Sequence, residues 1–464
     1  MRTRMTEKIS WLRRDARRAR KEARASGTAP LAQRQRERLA DLVAYARAQS
    51  PYYAKLYQGL PDRVDDPALL PVTDKTTLTR HFDDWVTDRD VTFSAVTAFV
   101  DDPDRIGRRF LGKYSIATTS GTSGHRGVFA LDERYQNVAG ALGLVAYASL
   151  GAGPIAGMLA RGFRLALVGA TGGHYVSFAG YTQATRESAW RRRILRAFSV
   201  HLPMPELVAR LNAYRPAAVI GYASVIRLLA AEQEAGRLRI RPALVQPAGD
   251  AMTTADTERI AAAFRTAVRP IYSCTECTYL SNGCAHGWYH VNSDWAVLEP
   301  VDAEFRPTPP GQVSHTVLLT NLANRVQPFL RYNLGDSVLP RPDPCPCGNP
   351  LPAVRVHGRA GDILSFPSGR GESVALAPMV FSTLFDRIPG VELFQVEQTA
   401  PTTLRIRLLL ADGTEPEQVW QRIRSEAEGL LADNGLRSVA LERAEEPPRQ
   451  EPGGGKYRAV VPYR

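Results

Sequence analysis

Short apolar segments that end in glycine and alternate with helical patterns constrain this fold more than any other feature. The segment 164–170 runs into a Gly-Gly pair, and 217–221 ends in a glycine. Short strands alternating with helices are typical of a mainly parallel sheet covered by helices. The predicted strands are 114–118, 164–170, 217–221 and 315–320, and the predicted helices are 33–57, 185–198, 205–213, 224–235 and 255–265.

The pattern changes beyond residue 361. Residues 404–408 alternate like a half-exposed strand, and 415–432 place Val419, Ile423 and Ala427 on one helical face. This predicts a small α+β domain of about 100 residues. We therefore expect an α/β protein with a large N-terminal domain of mainly parallel sheets and a small C-terminal domain. The predicted division is a basic helical arm at 1–32, an N-terminal domain at 33–360 and a mobile C-terminal domain at 361–464.

The positive charge is concentrated at the N-terminus. The net charge is +12, and residues 1–24 carry ten basic and three acidic side chains, which leaves +5 for the rest of the chain. A basic arm can bind nucleic acid or a membrane surface, but a solvated helix is the favoured interpretation. The 44% hydrophobic and 23% charged residues exclude a disordered or collagen-like chain.

The uncharged segment 135–160 resembles a membrane span in composition. Its glycines and Pro154 argue against a lipid-facing helix and favour a buried helix followed by a turn. The N-terminus has no apolar core or cleavage site of a signal peptide. We therefore expect no membrane span and a cytoplasmic protein.

A glycine-rich loop is the densest motif. Residues 119–127 read Thr-Ser-Gly-Thr-Ser-Gly-His-Arg-Gly and follow a predicted strand. Three glycines let amides and hydroxyls face one concavity, which suits a phosphate, and Arg126 adds positive charge. The spacing is neither that of a Walker loop nor that of a dinucleotide-binding loop. The alternative is a polar turn between two strands.

This loop resembles the phosphate loop of the adenylate-forming superfamily, which includes acyl-CoA synthetases, luciferases and peptide-synthetase adenylation domains. The family commonly has Pro-Lys or Lys-Pro before the last glycine, whereas this chain has His125-Arg126. Five further motifs follow in the family's order. They are Ala-Gly-Asp at 248–250, Tyr-Ser-Cys-Thr-Glu at 272–276, Arg-Tyr-Asn-Leu-Gly-Asp at 331–336, Gly-Arg-Ala-Gly-Asp at 358–362 and Gly-Gly-Lys at 454–456.

The resemblance implies a role for each motif. Glu276 binds Mg²⁺ on the triphosphate, Arg359 belongs to the hinge motif, and Lys456 drives adenylation. Lys456 is one of only six lysines against 53 arginines. The nucleotide-binding residues that the resemblance implies are Ser120, Gly121, Thr122, Ser123, Gly124, Arg126, Ala248, Gly249, Asp250, Tyr272 (stacking on adenine), Ser273, Thr275 and Asp336 (holding the ribose hydroxyls).

Residues 38–83 and the cysteine-containing segments are similar to the phenylacetate–CoA ligase branch and its CapK-like members. This implies an AMP-forming acid–CoA ligase that uses ATP, Mg²⁺ and coenzyme A on a small aryl or arylacetic acid. The candidate acid pocket contains Tyr135, Gly221, Tyr222 and Ala223, for which core packing is the alternative. Other hypotheses are an amide ligase or another CoA-independent adenylating enzyme, a non-catalytic homologue, and a basic binder of nucleic acid or membranes. No nucleic-acid partner is expected, and a homodimer is left open.

The five cysteines lie within 74 residues, from Cys274 to Cys347. Their odd number argues against a disulfide framework. Cys284, His290, Cys345 and Cys347 form a Cys₃His set, which is typical of a closed structural zinc site. His286 is an alternative to His290, although the resemblance favours His290. The other interpretation is that all five are buried free thiols.

Overall fold

A computed structural model describes residues 2–119, 127–200, 202–249, 252–359, 364–367, 373–376, 381, 384–385, 388–449 and 458–463. The predicted α/β class is confirmed. The helices are α1 Arg2–Ser26, α2 Ala29–Gln49, α3 Pro51–Leu56, α4 Lys75–Arg80, α5 Phe82–Trp85, α6 Phe93–Val100, α7 Glu133–Ala148, α8 Ala152–Ala160, α9 Val176–Glu187, α10 Ala189–Ile194, α11 Met204–Tyr214, α12 Ala223–Glu234, α13 Thr254–Phe264 and α14 Pro416–Asp433.

The strands are β1 Ser115–Thr118, β2 Val128–Leu131, β3 Leu165–Gly169, β4 Leu195–Ser199, β5 Ala218–Tyr222, β6 Leu244–Ala248, β7 Ala267–Val268, β8 Ser281–Gly283, β9 Tyr289–Val291, β10 Ala296–Val301, β11 Thr316–Asn321, β12 Tyr332–Asn333, β13 Asp336–Pro340, β14 Ala353–Arg359, β15 Leu364–Pro367, β16 Ser373–Leu376, β17 Val391–Ala400, β18 Thr403–Leu410, β19 Ala440–Arg443 and β20 Val460–Val461.

One five-stranded sheet, in the order β4-β3-β5-β6-β7, is parallel throughout. Its core lies against α11, α12 and α13, because these helices turn their buried leucines, valines and isoleucines toward the strands. The sheets β10-β11-β12 and β13-β14-β9-β8 are antiparallel; the predicted strand 315–320 corresponds to β11, but its antiparallel pairing and the other strands of these sheets were not predicted.

The helix prediction at 185–198 is wrong in its second half. The helix α10 ends at Ile194, and the chain continues as β4, the edge strand of the parallel sheet. β4 pairs in register with β3, from Leu165 opposite Leu195 to Gly169 opposite Ser199. Backbone pairing with β3 thus overrides a helical side-chain pattern rich in arginine.

The basic N-terminal segment is a helix packed on the body of the protein. Its alanines Ala16, Ala19 and Ala23 are buried. Arg20 donates to the Oδ1 atom of Asn292 at 2.6 Å and lies 3.9 Å from the carboxylate of Asp294. A freely solvated helix is therefore not what the structure shows, although most of the arginines of α1 face solvent.

The segment 135–160 forms α7 and α8, which meet at a bend of 105°. Taken together they have the length and apolar composition of a span, whereas no single helix in the described part of the chain does. The C-terminal strands and α14 enclose their own core of residues between Leu364 and Val460. The boundary at 360/361 lies outside the described residues and stays a prediction.

Candidate active site and metal centre

The two ends of the glycine-rich loop are tied together where β1 leads into β2. The Thr119 amide donates to the Gly127 carbonyl, and the Gly127 amide donates to Thr119 Oγ1, both at 3.1 Å. A Cβ at residue 127 would lie 2.8 Å from the ring of Phe129, so only glycine fits there without a shift of that ring. Residues 120–126, with the candidates Ser120, Gly121, Thr122, Ser123, Gly124 and Arg126, lie outside the described residues, and their assignment stays a prediction.

A lysine that the sequence analysis did not assign lies at this neck. Lys75 Nζ donates to Thr119 Oγ1 at 3.4 Å. Its position is set by α4, whose first helical residue is Lys75 and whose N-cap residue, Asp74, accepts from the Thr77 amide at 2.9 Å. The structure thus places an ammonium group beside the neck of the phosphate loop. The scarcity of lysine in this chain was the signal that could have identified it.

The predicted adenine-binding segments meet at the carboxyl end of the parallel sheet. Tyr222 ends β5 and pairs with Ala248, which ends β6, and Ala248 also bridges to Ile271 beside Tyr272. At Gly249 the backbone has φ +84°, and a Cβ there would approach the Tyr222 ring to 3.0 Å. Ligands of such sheets bind outside the carboxyl ends of the strands. Asp250 lies outside the described residues.

Tyr272 and Asp336 are in direct contact. The Tyr272 hydroxyl donates to Asp336 Oδ2 at 2.9 Å, and its ring packs against Tyr289 with centroids 6.0 Å apart. Asp336 opens β13, where it is paired with Arg359 of β14. The structure therefore brings together the residues predicted to hold adenine and ribose and places the hinge backbone opposite them. The side chain of Arg359, and Lys456 as a whole, lie outside the described residues.

Glu276, the predicted Mg²⁺ ligand, is a buried carboxylate that accepts one hydrogen bond from the part of the chain that the structure describes. The Tyr332 hydroxyl donates to Glu276 Oε1 at 3.2 Å, and the Asn321 side chain donates to the Glu276 carbonyl at 2.6 Å. Burial, followed by the charge of Glu276, raises the pKa of Tyr332 far above its usual value, so this hydroxyl keeps its proton. Ser273 and Thr275 are half-buried between Tyr272 and Glu276. A carboxylate with a free oxygen can complete the coordination of Mg²⁺ bound to phosphates.

The four residues of the candidate acid pocket differ in burial. Tyr135 is buried, and its hydroxyl is 2.7 Å from Thr278 Oγ1. Ala223 is also buried, and a Cβ at Gly221 would lie 2.6 Å from the Val168 carbonyl oxygen. These contacts fit the alternative of core packing, and the pocket assignment of the four residues stays a prediction. Tyr222 is half-buried and lies beside the nucleotide segments.

The predicted metal ligands converge. The donor atoms of Cys284, His290, Cys345 and Cys347 all lie within 4.8 Å of one another. The Sγ atoms of Cys284 and Cys345 are 3.8 Å apart, which is too long for a disulfide bond. Two thiolates at tetrahedral positions about 2.3 Å from a zinc ion would be roughly 3.8 Å apart. The donor set and its spacing therefore fit a tetrahedral metal ion.

Two strands and one loop build this centre. Cys284 follows β8 and His290 lies in β9, while Cys345 and Cys347 lie in the loop between β13 and β14. His290 Nδ1 is 3.0 Å from the Leu351 carbonyl, and its Nε2 is 3.1 Å from Cys347 Sγ. Donation from Nδ1 to this carbonyl leaves Nε2 free to bind a metal, as is usual for histidine ligands. His290, not His286, is therefore the imidazole of the cluster.

The cluster favours a thiolate at Cys284. Burial opposes ionisation there, but hydrogen bonds from His290 and from the backbone amides of His286 and Trp288 outweigh it and lower the pKa of Cys284 to about 6. Burial and the neighbouring thiols raise the pKa of Cys347 to about 11. A bound dication would remove the repulsion between these sulfurs, so metal binding and loss of the thiol protons are coupled.

The helix α1 covers the loop that carries two of these cysteines. Arg24 Nε donates to the Gly348 carbonyl at 3.3 Å, and Ala19, Ala23 and Leu31 pack against Leu351. The carbonyl of Leu351 is the same group that orients His290. The N-terminal helix thus packs against the loop of the candidate metal centre.

This arrangement of sheets and segments was compared with known proteins. A crystal structure of 2-hydroxyisobutyryl-CoA ligase in the postadenylation state, in complex with R3-HIB-AMP, aligns with 95% of this chain and 90% of its own, with a TM-score of 0.66 and 20% sequence identity. The chain has the adenylate-forming ligase fold. No family model matches this sequence, and no curated protein does.

The same ligase is known in two other states. Its open conformation with 2-HIB-AMP and CoA aligns with a TM-score of 0.55 over 94% of this chain and 92% of its own, at 21% identity. Its thioesterification state gives 0.53 over 93% and 88%, also at 21% identity.

Proposed function

We propose that this protein activates a small carboxylic acid with ATP and transfers the acyl group to coenzyme A. The carrying observation is the contact between Tyr272 and Asp336 beside the carboxyl end of the parallel sheet. Tyr332, which donates to the buried Glu276, is bridged to Thr73, two residues before the lysine that reaches the neck of the glycine-rich loop. A carboxylate oxygen attacks the α-phosphorus, and the bond to pyrophosphate breaks. The thiol of coenzyme A then attacks the acyl carbon, loses its proton, and AMP leaves.

The residues of the chain divide this work. Gly249 and Tyr272 offer a flat surface for adenine, and Asp336 offers carboxylate oxygens to the ribose hydroxyls. Mg²⁺, when bound at Glu276, supplies positive charge to the triphosphate. Lys75 adds a positive charge at the neck of the loop. Donors fixed before the reaction stabilise developing phosphoryl charge without reorganisation. The roles of Arg126, Arg359 and Lys456 rest on the resemblance of their motifs.

Coenzyme A is the acceptor that we favour. The structural likeness to 2-hydroxyisobutyryl-CoA ligase covers 95% of this chain. Crystal structures of that ligase contain an acyl-AMP and CoA. For the acid, we propose a small aryl or arylacetic acid, with Tyr222 as the one pocket candidate that is not fully packed into a core. An amine acceptor would make the protein an amide ligase. Analysis of the products formed with CoA or with an amine distinguishes the two acceptors.

We also propose that the Cys₃His cluster holds a structural zinc ion. Support comes from the 3.8 Å spacing of two sulfurs and from the orientation of His290 by Leu351. Four protein ligands leave no open coordination position, which is typical of structural zinc sites. We place the reaction in the cytoplasm, where such thiols stay reduced and ATP is abundant.

The test is ATP–pyrophosphate exchange with benzoate, phenylacetate, 2-hydroxyisobutyrate and a long-chain fatty acid, followed by product analysis with CoA or an amine. Lys456→Ala should lower the exchange rate by about 10²–10³-fold and leave thioester formation from supplied acyl-adenylate nearly unchanged. Lys55→Ala, which removes an exposed lysine, is the matched control. Absence of exchange with every acid would contradict adenylation, and products with amines alone would contradict CoA as acceptor.

A further inference from the structure

Five exposed arginines cluster beside the edge of the parallel sheet. They lie on and around α10 and the start of β4, which is the edge strand. Among the described residues, no carboxylate forms a salt bridge with any of them, and the nearby Glu187 is paired with Arg109 at 3.0 Å. We call this surface the arginine face; its members are Arg186, Arg191, Arg192, Arg193 and Arg196.

The arginine face continues across the amino ends of neighbouring strands. Leu195 of β4 pairs with Leu165 of β3, and the Tyr214 hydroxyl is 2.7 Å from the Ile194 carbonyl. The guanidinium of Arg196 stands 4.6 Å from the centre of the Tyr214 ring. Arg164, just before β3, donates to the Arg215 carbonyl at 3.1 Å, which adds two more cations to the same end of the sheet.

Large apolar side chains lie at the same end. Trp190 is 61% exposed, Leu159 is 59% exposed and Phe163 is 38% exposed. Phe163 has φ +52°, which is unfavourable for a bulky residue, and its amide donates to the Met158 carbonyl at 2.9 Å. Trp190 begins the turn of α10 that carries three of the arginines. Exposed apolar groups next to unpaired cations mark an interaction surface.

We propose that this end of the sheet docks on an anionic phospholipid surface. The arginines would lie at the headgroups, and Trp190, Phe163 and Leu159 would enter the interface, where tryptophan is enriched. Binding to duplex nucleic acid rests mainly on phosphate contacts from basic side chains, whereas a lipid interface also buries exposed apolar side chains, and this difference favours lipid here. The active site lies at the carboxyl ends of the same strands and would face away from the lipid.

The other basic surface of the molecule, on α1, is less suited to this role. Arg18 is paired with Glu22 at 2.7 Å, Arg20 and Arg24 are bonded to the body of the protein, and Lys8 is paired with Glu133 at 3.3 Å. The arginine face has no such acidic partners among the described residues. Arg14 and Arg17 of α1 remain exposed, and they offer a control with the same change in charge.

The experiment is co-sedimentation of the full chain with phosphatidylcholine vesicles that contain or lack about one third phosphatidylglycerol. Each arginine near an anionic surface contributes about a fivefold gain in binding, so R191Q/R193Q should bind roughly 25-fold more weakly. R14Q/R17Q carries the same charge change and should stay within about threefold of the unaltered protein. Trp190→Ser should weaken binding even at high salt, where the charge effect is screened.

Three results would overturn the proposal. The first is equal binding to neutral and anionic vesicles, or no binding to either. The second is an equal loss in R191Q/R193Q and R14Q/R17Q, which would show a dependence on net charge alone. The third is tighter binding to duplex DNA than to vesicles with no effect of Trp190→Ser. Unchanged pyrophosphate exchange or circular dichroism in the variants shows that they fold, so a loss of vesicle binding reports on the surface itself.

Discussion

A buried glutamine ties together both ends of the segment that carries Lys456. Gln395 of β17 donates from Nε2 to the Arg458 carbonyl at 2.9 Å and to the Arg449 carbonyl at 3.1 Å, and its Oε1 accepts from the Arg449 amide at 3.3 Å. Residues 450–457 lie between these two anchors. The fully buried Arg407 contacts Gln395 and forms a salt bridge of 3.0 Å with Glu446, which precedes Arg449 in the chain.

We predict that Gln395→Leu selectively slows adenylation. The change keeps the volume of the side chain and removes the three hydrogen bonds to Arg449 and Arg458, each with a net contribution of about 1 kcal/mol, so the anchored state should lose about 2–3 kcal/mol. It also removes the 3.5 Å hydrogen bond from Arg407. If Lys456 acts only when its segment is anchored, this lowers pyrophosphate exchange by roughly 30- to 150-fold. Thioester formation from supplied acyl-adenylate should change less than threefold.

Gln398→Leu is the matched control. Gln398 is equally buried on the same strand and also makes three hydrogen bonds, but to Ser365, Pro401 and Tyr463. It should lower the thermal stability of the C-terminal domain to a similar extent without a selective loss of exchange. If both variants lose the same fraction of exchange, or if Gln395→Leu slows both half-reactions equally, the anchoring argument is wrong.

Three further predictions concern the metal centre and the nucleotide site. The purified protein should contain about one zinc per chain, and Cys345→Ser should lose it and unfold at lower temperature; well under half an equivalent by elemental analysis would contradict the site. In metal-free protein the lowered pKa of Cys284 contributes to the free energy of unfolding, fully above the unfolded thiol pKa of about 8.5, and this contribution is lost as the pH falls through about 6. Denaturant unfolding should therefore show a free energy of unfolding that falls between these two pH values, and Cys284→Ser should abolish this dependence. Tyr272→Phe should raise the KM for ATP about three- to tenfold through loss of the bond to Asp336, whereas Tyr289→Phe, an identical chemical change on the packed neighbouring ring, should not.

The metal ligands could be predicted from the sequence because they form two pairs, and the two members of each pair are close together in the chain. Cys284 and His290 belong to one hairpin, in which the Cys284 amide donates to the Trp288 carbonyl at 2.9 Å, and the other two cysteines share one turn. Each half is therefore fixed by short-range structure. The one long-range contact that the site needs is the pairing of β9 with β14, which brings the two pairs of ligands together. The choice between His286 and His290 needed the structure.

Features that depend on distant packing could not be predicted in this way. Lys75 reaches Thr119 across 44 residues, and Tyr272 reaches Asp336 across 64. The charges of α1 suggested a free arm, whereas its buried face consists of alanines at helical spacing, a weak hydrophobic signal that the many arginines obscured. Tyr135 and Ala223 are buried, and residue type alone does not separate a ligand pocket from the core, so their assignment to the pocket stays a prediction.

The contact between Arg24 and the Gly348 carbonyl has a consequence for biosynthesis. These residues are separated by 324 positions, so at 5–20 residues per second the docking site of α1 leaves the ribosome roughly 15 to 65 s after the helix itself. During that interval α1 can contact α2 and α7 but not the loop that carries Cys345 and Cys347, so polyanions or chaperones can compete for the side of the helix that this loop later covers. Synthesis of the loop that carries Cys345 and Cys347 ends the competition. The loop, the hairpin that carries His290 and α1 can then form their contacts with one another.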